Sequence, residues 1–147
     1  METEISGYAS LFWTRDLNDD VTAAGAFGAS LAKTGAGGVK MLCQHDADRP
    51  IGVWDEAFED GRGLFVRGRI LDATPEGRLC AALVRAGAMD GLSIGFKTTK
   101  ARPDETGRLR VLTELDLWEV SIVTFPMLPG ARIDTVSLLP LREKVAA

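Results

Sequence analysis

The chain has 147 residues, the length of one ordinary domain, with 46% hydrophobic and 26% charged residues. That is enough apolar material for a packed core without disulfide or metal staples. Lys and Arg number 17 against 21 Asp and Glu, a net charge of −4, which excludes a protein built mainly to grip nucleic acid by displacing counterions. One histidine, His45, and two cysteines, Cys43 and Cys80, are too few for a structural zinc site or a disulfide framework. Free thiols, a reducing compartment and no structural zinc are therefore expected. The opening METEISGYAS has no basic stretch leading into an apolar run, and no window approaches ~18 uninterrupted apolar residues, so a cytosolic protein without membrane contact is expected.

Ile5 to Trp13 alternates loosely and reads as a first strand, running into a polar loop from Arg15 to Asp20. Gly25 to Lys33 reads as a short helix with Phe27 and Leu31 on one face, and the glycines of Thr34 to Gly38 as a turn. Val39 to Cys43, Ile51 to Phe58 and Gly63 to Leu71 read as strands, the last two joined by a tight hairpin at Glu59 to Gly63. A second helix starts with Thr74 as cap and Pro75 in its first position, presents Leu79 and Leu83 on one face and ends at Gly87. Leu92 to Thr99 is a strand, Lys100 to Arg108 a charged loop, and Leu109 to Phe125 two strands or one bent strand stopped by Pro126 and Pro129. The pattern predicts an α+β domain with a mainly antiparallel sheet or barrel over residues 1–132, then a tail, 133–147, with an apolar patch from Val136 to Leu141. Trp13, Trp54 and Trp118 are expected in the core or a cleft wall. Asp16, Asp19 and Asp20 lack the spacing of a calcium loop and read as a solvated turn, as Arg67, Arg69, Arg108 and Arg110 read as a solvated face.

Gly91-Leu92-Ser93-Ile94-Gly95 matches the G-x-S-x-G pattern of a serine nucleophile, whose glycines let the chain turn and a substrate approach. The α/β-hydrolase context is wrong, because a helix precedes Ser93, strand residues follow it, and the only histidine lies upstream. A serine needs a base, and His45, at a strand end opening into a loop, is the only imidazole available. Taken singly, His45 reads more readily as an ordinary loop histidine and Ser93 as a turn residue. In Glu114 to Ser121, alternation sets Glu119 on a face with Leu115, Leu117 and Ser121, where an unpaired carboxylate is costly, so it needs a partner or a sheet edge. It is the acid favoured to orient the imidazole.

Together these segments resemble the prohead (capsid maturation) proteases of tailed bacteriophages, distant relatives of the herpesvirus assemblins. The resemblance runs from about Gly7 to Arg132. It rests on Gly7-Tyr8-Ala9-Ser10, Gly25-Ala26-Phe27, Val39 to Asp46, Pro50 to Trp54, Asp90 to Phe96, and Leu117 to Ser121 ending at Thr124-Phe125-Pro126. It implies a β-barrel core wrapped by a few helices, and a serine endopeptidase with Ser93 as nucleophile and His45 as base. Assemblins use a second histidine as third member; with none here, that role falls to a carboxylate, Glu119, or is vacant. The oxyanion donors would be backbone N–H groups around Phe125 to Arg132. The resemblance further implies scaffold and major capsid protein as substrates, self-cleavage, no metal or cofactor, the portal or the procapsid interior as a partner, and a workplace inside the immature procapsid, within the bacterial host cytoplasm. A homodimer or higher oligomer is compatible with it, and no nucleic-acid or membrane partner is implied.

Two rival readings differ in their consequences. A protease-like scaffold that has lost catalysis would keep the fold and never cleave; the single histidine favours it and the retention of Ser93 and His45 opposes it. A cysteine enzyme would pair Cys43 or Cys80 with His45. However, residues two apart on a strand stand roughly 7 Å apart along it, and Cys80 beside Leu79 reads as core.

Overall fold

Alternating apolar and polar residues dominate the chain, and most of it is pleated accordingly. The structure, a computed structural model, describes residues 1–140. Its strands are β1 (Glu2–Leu11), β2 (Asp20–Thr22), β3 (Lys40–Cys43), β4 (Asp46–Glu59), β5 (Gly63–Ile70), β6 (Gly91–Pro103), β7 (Arg110–Val123) and β8 (Ile133–Leu139). Two helices, α1 (Gly28–Thr34) and α2 (Pro75–Arg85), and one 3₁₀ turn, Ala36–Gly38, accompany them. Several strands exceed their expected bounds: β4 begins immediately after His45, β6 reaches into the expected charged loop, and β7 is one continuous strand. The short β2 lies where only loop was expected, held by a partner remote in sequence.

The strands form one mixed sheet in the order β2-β7-β3-β4-β5-β1-β8, with β6 on β7. Pairings are antiparallel except β2–β7 and β3–β7, which are parallel. Strand β7 is the hub, with β6 along one edge and, on the other, β2 at Arg110–Leu112 and β3 at Glu119–Ile122. The mainly antiparallel α+β expectation holds, but among the described residues the ladders are an open path and not the closed barrel expected. The start of β6 meets the chain before β8 through one bridge, Gly91 to Arg132. That approaching segment contains Pro126 and Pro129, which donate no N–H to a ladder. Residues 133–139 of the expected tail are β8, hydrogen-bonded to β1; there Val136 and Leu138 are exposed, and Leu141 lies outside the described residues.

Ile5, Phe27, Met41, Ile51, Leu64, Leu92, Leu115, Leu117 and Ile122 form the core, each 2% exposed or less. Trp54 joins them and donates its Nε1–H to the Val120 carbonyl at 3.3 Å. Trp13 and Trp118 do not: they are 59% and 55% exposed, Trp13 in a left-handed turn and Trp118 at a bulge between β6 and β7. In α2, Thr74 caps as expected, accepting the Gly77 N–H at 3.0 Å. The buried stripe, however, is Gly77, Cys80, Ala81 and Val84, leaving Leu79 and Leu83 on the outside. A Cβ at Gly77 would sit 2.0 Å from the Leu71 carbonyl oxygen, so the close approach of this helix selects its small-residue face.

Candidate active site

His45 owes its position to the tightest turn in the sheet. Cys43 of β3 pairs with Asp46 of β4, leaving Gln44 and His45 as a two-residue connection. Both take left-handed φ, 54° and 59°, as a type I′ turn requires. For residues with a Cβ this costs ~1–2 kcal/mol each, and β7 supplies the offset. The Gln44 N–H donates to the Ile122 carbonyl at 2.9 Å. The Gln44 side-chain amide donates to Thr124 Oγ1 at 2.7 Å and accepts the Thr124 N–H at 3.1 Å. The His45 N–H donates to Ser121 Oγ at 3.0 Å.

The imidazole then meets a carboxylate. Nδ1 of His45 lies 2.8 Å from Oε2 of Glu119. Ser121, itself fully buried, donates its hydroxyl to Oε1 at 2.6 Å. Glu119 thus has two partners, but its neighbours are not the leucines expected: the bulge at Trp118 shifts the alternation, so Leu115 and Leu117 face the core with Val120 and Ile122 while Glu119 and Ser121 lie on the other face. The hydrogen bond from Glu119 raises the His45 pKa above its ordinary 6.5, its charge adds to the effect, and partial burial opposes it. With the imidazole proton held on Nδ1, Nε2 is free to accept another.

Ser93 comes to this cluster through the β6–β7 register. It stands directly opposite Ser121, and Gly95 directly opposite Glu119. Opposed antiparallel residues share a face with Cβ atoms about 4.5–5.5 Å apart, so Ser93 projects on the face that carries the Ser121–Glu119–His45 chain. Ser93 is 4% exposed and its hydroxyl makes no hydrogen bond among the described residues. No buried polar side-chain atom there goes unpaired, so this hydroxyl opens outward, into a cavity of about 120 Å³ that His45 also lines. Met127 and Leu128, from the loop expected to hold oxyanion donors, line it too.

Sequence reasoning missed Ser121 and the purpose of Gly95. A Cβ at Gly95 would sit 2.7 Å from Cγ and Oε2 of Glu119. The second glycine of the G-x-S-x-G match therefore makes room for a carboxylate on the neighbouring strand, with no nucleophile elbow involved. Gly95→Ala is expected to displace Glu119 and lower turnover about 10²-fold, the scale of an ångström-sized misplacement, while the melting temperature changes little. Steady-state kinetics with a thermal melt check this. The cysteines stand apart from the cavity. Cys80 is buried in the core and burial, reinforced by neighbouring Cys43, pushes its thiol up to about 12, far from a thiolate at neutral pH.

The family of caudovirus prohead serine proteases matches residues 1–142 of the chain. The chain is 33% identical over 122 residues to the prohead protease of Enterobacteria phage HK97, covering 82% of this chain and 54% of that one. It is 30% identical over 124 residues to the prohead protease of Escherichia phage T5, covering 84% and 58%. It therefore spans little more than half the length of these relatives. Its fold is similar to that of the bacteriophage T4 capsid assembly protease, with a TM-score of 0.61 and 16% identity over 82% of this chain and 80% of that one. The KSHV protease, solved with a hexapeptide phosphonate inhibitor, gives a TM-score of 0.58 and 12% identity over 90% and 64%.

Proposed function

The chain belongs to the caudovirus prohead serine protease family, and from that membership we propose that it is a serine endopeptidase of procapsid maturation. The observation that supports this most directly is the shared cavity. A serine hydroxyl without a partner among the described residues and an imidazole backed by a carboxylate open into the same space. His45 Nε2 takes the hydroxyl proton as Ser93 Oγ attacks a peptide carbonyl. Glu119 fixes the Nδ1 tautomer and stabilises the imidazolium, and His45 then returns the proton to the leaving amine. Backbone N–H groups of the loop from Phe125 to Arg132 hold the oxyanion. Water hydrolyses the acyl-enzyme on Ser93 by the same proton path, and the step needs no metal or cofactor.

The substrates in this reading are the scaffold or the scaffolding portion of the major capsid protein, and the protease itself, cut inside the immature procapsid. Treatment with a fluorophosphonate probe, followed by intact-mass analysis and peptide mapping, tests it. One adduct on Ser93, absent from the His45→Ala variant, is the expected result. No adduct, even on protein co-expressed with the capsid protein, would sink the enzyme and leave a protease-like scaffold.

A further inference from the structure

Cavity walls beside a nucleophile select what enters, and these carry a carboxylate that no cation among the described residues pairs with. Asp16 lines it from the turn before β2. The charged groups around it are matched pairwise. Arg15 pairs with Asp19 at 2.5 Å, and Arg110 grips Asp20 through Nε and Nη2, both at 2.9 Å. Asp16 enters no ion pair among the described residues. Its Oδ1 accepts the backbone N–H groups of Asn18 and Asp20 at 2.8 and 3.0 Å, which fixes the carboxylate, and its Oδ2 is left without a partner there. Burial pushes this carboxyl above its ordinary pKa, with Asp20 and Asp19 adding to the effect.

The rest of the wall is mixed, with an apolar part formed by Leu11, Leu92, Ile94, Phe96, Leu112 and Leu128. About 120 Å³ is room for roughly four waters, the scale of one long side chain. Asp20 also lines the cavity but is held by Arg110, so apolar walls with one fixed, unpaired carboxylate complement a side chain with an aliphatic stem and a cationic head. A wholly apolar side chain would desolvate Asp16 without replacing its hydrogen bonds, and an acidic one would add repulsion.

Building on the serine endopeptidase reading, we propose that the cavity at Ser93 is a substrate subsite for a lysine or arginine side chain next to the scissile bond, with Asp16 as its specificity-determining residue. Asp16→Asn keeps the Oδ1 acceptor that shapes the turn and removes only the charge. Digestion of a mixed peptide library by the wild-type protein is expected to enrich Lys and Arg at one position beside the cut, and Asp16→Asn to abolish that enrichment. Cleavage without a basic preference, or with one that survives Asp16→Asn, overturns the proposal.

Calorimetric titration with benzamidine, a guanidinium-like probe that requires no turnover, supplies an independent arm. Its affinity should fall about tenfold or more in Asp16→Asn, the scale of one charge-assisted hydrogen bond, and the neutral benzamide should not discriminate. Equal benzamidine affinity in both proteins, or none in either, overturns the proposal. Fluorophosphonate labelling separates the two failures. Labelled Ser93 without a basic preference removes the subsite alone. Asp16-dependent benzamidine binding without any labelling removes the protease reading and leaves a cation-binding cavity.

Discussion

Ser93→Ala and His45→Ala are each expected to lower kcat/KM on a capsid-protein substrate by about 10⁵–10⁶-fold, and the double variant by no more than the worse single one. A serine hydroxyl is a poor nucleophile until a base takes its proton, so removing either partner removes the same step. The loss should appear in kcat with KM nearly unchanged, because neither group need contribute to ground-state binding. Neither substitution should unfold the protein. Ser93 gives up a hydroxyl that makes no hydrogen bond among the described residues, and at position 45 the turn is held by a backbone N–H that alanine also supplies. Quantified cleavage with a thermal melt is the check. A His45→Ala protein within tenfold of wild type would end the role given to that imidazole, and a soluble, well-folded Ser93→Ala protein that still cleaves would end the role of the serine.

Individual residues of the site were legible because their chemistry is local. A lone imidazole, a serine between glycines and an acid among leucines each stand out against their neighbours. Their arrangement was not legible, because it depends on strands far apart in the chain. The parallel pairing of β3 with β7 brings the Gln44–His45 turn onto Ser121 and Glu119, and nothing within either segment announces that pairing. Ser121 sits two residues from Glu119 in a stretch already singled out. Only the β6–β7 register shows it to be the link between the acid, the turn and Ser93. A facing Gly95–Glu119 pair was the available signal, since a glycine opposite a buried acid marks space kept open. The fold behaved similarly. Strand positions follow from apolar alternation, but ends moved wherever cross-strand pairing extended them, as in β4 and β6. The helix α2 offered two apolar stripes, and packing distance chose the small one over Leu79 and Leu83.

Glu119→Gln is expected to cost about 10³–10⁴-fold in kcat, less than loss of Ser93 or His45, and to move the acid limb of the pH profile. Glutamine fills the same space but brings no charge, and its amide can present N–H to Nδ1 and so favour the wrong tautomer. In the wild type the hydrogen bond and charge from Glu119 hold the His45 pKa above 6.5 against partial burial. The reactive form is the neutral imidazole, so kcat/KM should rise with pH through a midpoint above 6.5. With glutamine only burial remains, and the midpoint should fall. Stability carries the complementary sign. A folded-state pKa raised above the unfolded value means that the His45–Glu119 contribution is complete below 6.5 and lost as pH rises through the folded pKa. The melting-temperature gap between wild type and Glu119→Gln should therefore be wider at about pH 6 than at about pH 9. An acid limb that stays in place in Glu119→Gln would show that this carboxylate does not set the state of His45, whatever the turnover. A midpoint lowered in kcat alone and unchanged in kcat/KM, with a pH-independent stability gap, would instead place the coupling in the substrate complex and not in the free protein.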